Sequence, residues 1–323
     1  MVCVAAPAYA ANEQELLERV DQLARELEAV KAELNQIKAL QPKVAAASAT
    51  AAVETAAKKE PATVLTSYGE INLNVPTQGS SNTQADLRRF IIGFQHRFNP
   101  KTKLVTELEV EHAVSSAGDR GEVAVEQAFV ERELTSSLAL RGGLMLIPIG
   151  LLNENHEPTA YFGVERNFVE TAIIPSTLRE IGAQGVLSFG NGYTLQGGVS
   201  TGPNITKWDF AGTDGQESPL RSVHQEGQLA AARDPSFFGA LNWRGVPGLQ
   251  IGAAAIGGKA PHGAAGLPTA GYRLWDAPSR SSPGRWHLSA HYARGSFDKT
   301  DAPTAPTNGQ HTLAPASFGG NSF

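Results

Sequence analysis

FIIGFQHRFNPKTKLVTELEVEHAV, residues Phe90–Val114, decides the fold. Phe90, Ile92, Phe94 and Phe98 fall on one face of a period-2 strand, and Arg89, Gln95 and Arg97 fall on the other. After a turn at Asn99, Pro100 and Lys101, the apolar face continues with Leu104, Leu108 and Val110, while Glu107, Glu109 and Glu111 line the opposite one. A half-buried soluble sheet gives such a pattern once. Here it recurs in several segments of about ten residues, the length at which a tilted strand crosses a bilayer. One face suits lipid and the other suits water, as in the wall of a transmembrane β-barrel.

Composition narrows the classes. The chain has 323 residues, a formal net charge of −5 and 18% charged residues. No stretch approaches the roughly 18 apolar residues of a membrane helix. Membrane insertion would therefore take the form of a closed barrel, because only helices and barrels satisfy their backbone groups in lipid. No basic face points to nucleic acid.

The N-terminus reads as the end of a secretory signal. Ala8, Tyr9 and Ala10 form an A-x-A cleavage site, which makes residues 1–10 a signal remnant and Ala11 the first mature residue. A basic n-region is missing, so the signal is expected to begin upstream of Met1. Cys3 is the one cysteine and leaves with the signal, and a thiol-free mature chain fits the cell envelope.

Residues 11–41 read as a periplasmic coiled coil. Leu16, Val20, Leu23, Leu27, Val30, Leu34 and Ile37 step alternately by four and three, with Leu16, Leu23, Val30 and Ile37 at d and Val20, Leu27 and Leu34 at a. Glu26 and Lys31, like Glu33 and Lys38, occupy g and the following e, where parallel neighbours form ion pairs. The bland reading is one amphipathic helix packed on its own domain; the narrow stripe with charged flanks favours self-association. Leu at a with β-branched residues at some d positions disfavours a dimer and points to a homotrimer. Pro42 ends the helix, and residues 42–63 are an Ala/Pro linker.

From Val64 on, short turns alternate with long loops. Short turns are expected at residues 99–101, 135–137, 190–192, 245–248 and 281–284; long connections run over residues 76–86, 115–121, 148–177 and 201–233, and near 260–270. Outer-membrane barrels alternate in this way. The phase puts the start of the first strand on the periplasmic side, beside the coiled coil. About eleven strands are expected, the last over Arg285–Phe297, with residues 298–323 as another outer loop and no alternating strand at Ser317–Ser322. Single-chain bacterial barrels use an even number of strands, so the chain is expected to stop inside its barrel, as a C-terminally truncated form.

RGGLMLIPIGLLNENHEP (Arg141–Pro158) is similar to a signature of the phosphate-selective porin O and P family. FGVER (Phe162–Arg166), Val169 and Glu170, Ile173 to Pro175, and Arg179 to Gly182 continue the resemblance, which covers about residues 64–297. The resemblance implies sixteen-stranded trimeric barrels, often preceded by a periplasmic coiled coil. It also implies that residues 148–177 fold inward as a constriction loop. Phosphate-selective members cluster Lys and Arg at the constriction. This loop instead carries Glu154, Glu157, Glu165 and Glu170 against Arg166, with no Lys, and the strands add Glu70, Glu107, Glu109 and Glu111 to the lumen. A phosphate-binding pore needs local positive potential. Phosphate selectivity is therefore not carried over, and a general or weakly cation-preferring pore is expected. Arg89 and Arg97 are expected to face the acidic row across the lumen.

Other motifs weigh little. Gly198, Ser200 and Gly202 match the nucleophile-elbow pattern, but no helix signal follows. His287 and His291 sit on one strand face, too far apart to share a metal. His156 beside Glu154 and Glu157 reads as a loop hydrogen-bonder, since no further ligand spacing supports a site. Trp208, Trp243, Trp275 and Trp286 fall mostly near strand ends, where interfacial aromatic girdles lie; Trp208 has a loop alternative.

The expectation is thus an all-β antiparallel barrel (residues 64–323) in the bacterial outer membrane. It is expected to be a passive channel for small hydrophilic solutes or ions, with a lipid bilayer as its surroundings. No catalytic residues, metal or cofactor are expected. The alternatives are a structural envelope tether, a non-conducting partial barrel, or a soluble β-rich binding protein.

Overall fold

A computed structural model describes residues 17–33, 62–78, 82–116, 118–208, 217–264, 270–298 and, as backbone, 317–322. The chain divides into two compact units, Met1–Pro61 and Ala62–Phe323.

In the first unit residues 17–33 are helical. Val20, Leu23, Leu27 and Val30 stand 55–60% exposed along one stripe. Lys31 pairs with Glu28 at 2.8 Å within the helix, the i,i+3 spacing that places two side chains on one face. Leu16, Leu34 and Ile37, the signal remnant and nearly all of the linker lie outside the described residues.

The second unit is a single antiparallel sheet in which each strand pairs with the next. Its strands are β1 (Thr63–Asn74), β2 (Gln84–Asn99), β3 (Thr102–Glu111), β4 (Val123–Glu133), β5 (Leu138–Leu146) and β6 (Arg179–Phe189). They continue with β7 (Tyr193–Ser200), β8 (Ser236–Val246), β9 (Leu249–Lys259), β10 (Gly271–Ser281), β11 (Leu288–Phe297) and β12 (Ser317–Ser322). The alternation of tight turns and long connections follows the sequence. Gly192 shows why one tight turn needs glycine: φ is +85°, and a Cβ there would meet the backbone of Arg244 and Gly245 at 2.6–2.7 Å.

Two expectations change. Ser317–Ser322 pairs with β11 as a twelfth strand, from His291↔Ser322 to Ser296↔Ser317. Backbone groups alone make that ladder, so a segment with Gly319 and Gly320 and no side-chain alternation can still add to an edge. β11 begins at Leu288 instead of Arg285, because residues 282–287 form the turn after β10.

Period-2 alternation separates two faces. Along β10, Tyr272, Leu274 and Asp276 are buried while Trp275 is exposed. Along β8, Ser236, Phe238 and Ala240 are buried, whereas Phe237 and Leu241 are exposed. The exposed set forms an apolar outer face with Leu140, Ile181, Leu195, Val199, Ile251 and Tyr292.

The register slips by one residue at four places, at the β2–β3 and β8–β9 turns and at two positions that bear on the site. Glu70 pairs with Arg89 and Ile71 with Leu87, so Arg88 is an extra residue in β2. Glu107 pairs with Gln127 and Leu108 with Val125, so Glu126 is an extra residue in β4. Such bulges bend a strand and re-aim a side chain.

The inner face is of two kinds. On β8–β11, Phe238, Ile256, Tyr272, Leu274, Ala293 and Phe297 join one apolar cluster. Ile147, Ile149, Val169, Ile173, Ile174 and Leu178 from the β5–β6 connection pack into it, as do Ile205, Trp208, Leu220 and Val223 from the β7–β8 connection. Trp208 is thus a core residue, 6% exposed, and the loop alternative holds over the girdle. On β1–β6 the inner face is mainly charged.

Candidate functional site: an inward loop against a charged wall

The β5–β6 connection, residues 147–178, reaches strands on both sides of the sheet. Arg88 on β2 donates to both carboxylate oxygens of Glu165, with Nη2–Oε2 at 2.9 Å. His156 lies 3.1 Å from Glu126 on β4. Gln196 on β7 donates to Glu154 at 2.8 Å. Arg280 on β10 donates to the Ala160 carbonyl at 3.4 Å, and Phe162 meets the His287 ring with centroids 5.6 Å apart. The sheet therefore curls around this loop.

The loop is locked from within. Asn153 donates to the carbonyls of Ile147 (2.8 Å) and Leu178 (2.9 Å) and accepts from the Leu178 N–H (2.7 Å), tying both ends together. Asn167 accepts from the N–H groups of Val169 and Glu170, capping a single helical turn. Arg166 donates to the His156 carbonyl at 2.8 Å.

A buried latch fastens the loop to β10 and β11. Glu170 Oε1 accepts from the N–H groups of Leu151 (2.6 Å) and Leu152 (3.3 Å) and lies 3.1 Å from His291 Nδ1. His291 Nε2 lies 2.9 Å from Asp276 Oδ2, which also accepts the Gly150 N–H at 3.0 Å. Glu170, Asp276 and His291 are each at most 2% exposed. Charges so deeply buried persist only when paired and hydrogen-bonded. Glu170, one of the residues expected to line the pore, faces this latch and not open water. His287 lies in the turn before β11, away from His291.

The opposite wall is an ion ladder on neighbouring strands. Arg89 sits 3.0 Å from Glu70 and 3.3 Å from Glu109. Glu107 accepts from Gln127 at 2.5 Å. Lys103 and Arg141 both pair with Glu131, at 2.8 and 2.7 Å. Arg89 therefore stands inside the acidic row instead of facing it across a gap, which corrects the expectation of opposed walls. The physical reason is the register: Arg89 is the direct partner of Glu70 on one side and of Glu111 on the other. Arg97 lies at the short-turn end, opposite Lys103.

Between loop and wall lies a polar cavity of about 460 Å³. Five arginines (88, 89, 166, 179 and 221) and five glutamates (109, 111, 122, 165 and 226) line it, with Tyr161 and His224. Arg179 pairs with Glu226 at 3.1 Å. Burial pushes the Glu122 carboxyl up, and neighbouring Glu226 and Glu111 add to it. Burial pushes the His224 imidazole down, with Arg179 and Arg221 in the same direction and Glu226 opposing. Such a mixed-charge cavity solvates ions of either sign and presents no purely basic ring.

Of the loop residues singled out from sequence, Glu154, Glu165 and Arg166 meet the cavity or the wall directly. Glu157 is exposed and precedes the short turn Pro158–Ala160. Sequence reasoning named Arg179 only within the resemblance and missed Arg88, Glu126, Glu226, Asp276 and the role of His291. Arg88 and Glu126 are bulge residues, which strict alternation assigns to the wrong face. The nucleophile-elbow match is a strand end: Ser200 closes β7 and extended loop follows.

No family model matches the chain. It is 31% identical over 191 residues to an uncharacterized protein of Aquifex aeolicus, a match covering 58% of this chain and 42% of that protein. The chain thus spans about two fifths of the length of that curated relative. Among solved structures it is similar to Salmonella typhi OmpF, at a TM-score of 0.47 and 14% identity, over 72% of this chain and 66% of that one. It is also similar to the outer membrane channel DcaP of Acinetobacter baumannii, with a TM-score of 0.38, 11% identity and coverage of 76% and 85%. The trimer form of OmpT from Vibrio cholerae gives 0.34, 11%, 73% and 78%. These structural neighbours are outer membrane proteins.

Proposed function

We propose that this chain is an outer-membrane porin, a passive diffusion channel whose narrowest part is formed by residues 148–177. The observation that carries the reading is the inward loop: it crosses the concave face of an outwardly apolar sheet and leaves a charged cavity on one side. The exposed apolar residues of β5–β11 suit contact with acyl chains. Small hydrophilic solutes would pass between the loop and the β1–β6 wall without chemistry.

Glu154, Glu157, Glu165 and Arg166 would meet the passing solute, together with the ladder of Glu70, Arg89, Glu107, Glu109 and Glu111. Arginines and glutamates are equal in number around the cavity. That balance supports a general pore with at most a weak cation preference and speaks against phosphate selectivity, which needs an unbalanced basic ring. The helical stripe of residues 17–33 supports a periplasmic coiled coil that trimerises the channel.

The test is planar-bilayer recording of the refolded full chain in a KCl gradient. Discrete conductance steps with a small cation-directed reversal potential are expected. A strongly anion-directed potential, or no steps from protein shown to be inserted, overturns the reading.

A further inference from the structure

Opposite the Glu170 latch, the loop meets the wall at a second buried polar point. Glu126 is fully buried; its Oε1 accepts from no ordinary donor among the described residues, and the Glu109 carboxyl lies within hydrogen-bond reach of the Glu126 carboxylate. His156 is 3% exposed. Its Nε2 lies 3.1 Å from Glu126 Oε2 and 4.0 Å from Glu107 Oε1. Its Nδ1 lies 3.3 Å from the Asn153 carbonyl oxygen, an atom that can only accept. The tautomer that satisfies this contact carries its proton on Nδ1 and turns the Nε2 lone pair toward two carboxylates. Three electron-rich atoms then converge, and either a second proton on Nε2, donated to Glu126, or a metal cation at their centre balances them. An imidazole whose other nitrogen donates to a backbone carbonyl is the usual arrangement of a metal-binding histidine.

We propose that Glu107, Glu126 and His156 hold a divalent transition-metal ion, Zn²⁺ in the first instance, that fastens the inward loop to β3 and β4. The three ligand atoms lie within 4.8 Å of one another. Tetrahedral Zn²⁺ with bonds of about 2.0–2.1 Å places its ligands roughly 3.3 Å apart. The 3.1 and 4.0 Å separations bracket that value. One imidazole with two carboxylates suits Zn²⁺ or its neighbours; Ca²⁺ and Mg²⁺ favour more oxygens and no imidazole. The surroundings orient the set. Gln127 holds the other oxygen of Glu107, Asn153 fixes the loop below His156, and Arg166 grips the His156 carbonyl. The fourth coordination position would be open to water or to a passing anion, as in sites with three protein ligands.

The experiment uses the full chain, refolded in detergent and stripped with a chelator. ZnCl2 is titrated by calorimetry, and CoCl2 by its visible absorption. One equivalent of Zn²⁺ per chain is expected, with Co²⁺ bands of tetrahedral intensity that Zn²⁺ displaces. Glu126→Gln and His156→Gln should each weaken binding by about 100-fold or more, since losing an outer-shell partner alone costs on the order of 10–100-fold. Heat-modifiable gel mobility shows which variants fold, and Glu107→Gln replaces whichever does not. Glu133→Gln, at the exposed end of β4, should bind as the unchanged protein does. Failure to take up one equivalent, or uptake that survives in folded His156→Gln, overturns the proposal; a centre that holds only a proton would give the first of these.

Discussion

Gly150 has φ of +79°, and a Cβ there would stand 2.5 Å from Glu170 Oε2. Its N–H is already committed to Asp276. Any side chain at this position both strains the backbone and collides with the latch. Gly150→Val should cost on the order of 2–3 kcal/mol. It should also loosen the loop, read as broader and noisier conductance levels. His224 offers a pH test. Its imidazole is held below the ordinary value in the folded chain, so the unfolded chain takes up the proton first as pH falls. Stability should therefore be level above about pH 7 and drop as pH passes down through about 6.5, the unfolded value. The melting temperature of the folded gel band from pH 8 to pH 5 checks this. His224→Gln should flatten the part of the slope that lies between the two proton affinities.

At the scale of elements, Asn153 closes the loop of residues 147–178 on itself. Asn153→Ala would leave the Leu178 N–H buried without its acceptor, while the Ile147 and Leu178 carbonyls keep the backbone N–H groups of Ile149 and Ile147. A cost of about 1–3 kcal/mol is expected by urea titration of the refolded protein. At the exposed tip, Glu165→Lys breaks the pair with Arg88 and adds positive charge to the cavity; the reversal potential should move toward anions. The strands themselves were legible because alternation is a backbone property, and every turn from residue 99 to residue 248 fell where Gly, Pro, Asn and Ser predicted it. The inward loop was legible only through the resemblance around Arg141–Pro158; its own residues show no period. The partners of its charges were not legible at all. Arg88 and Glu126 sit at bulges, and one extra residue in a strand leaves no mark on a period-2 pattern. His291 and Asp276 lie on adjacent strands far in sequence from Glu170, so only the register brings them together. β12 was missed because an edge strand needs no side-chain signal to pair.

For the whole molecule, the proposed function gives the helical stripe and the sheet separable roles. Leu23→Glu with Leu27→Glu should abolish self-association through residues 17–33, because two charges at a and d positions oppose a shared seam. Sedimentation in detergent should show a lower oligomer, or looser trimers, while single-chain conductance steps persist. The apolar filling along β8–β11 has an electrical consequence. Low-dielectric material occupies that side of the interior, so field lines between the two compartments are squeezed toward β1–β6. In the proposed channel the conducting path would then be off-centre, like water running along one bank of a half-silted channel. Charges introduced behind the silt, at Ala240 or Ile256, would tax folding yet leave ion selectivity untouched, whereas a single reversal at Glu111 or Arg89 would be felt by every ion that crosses.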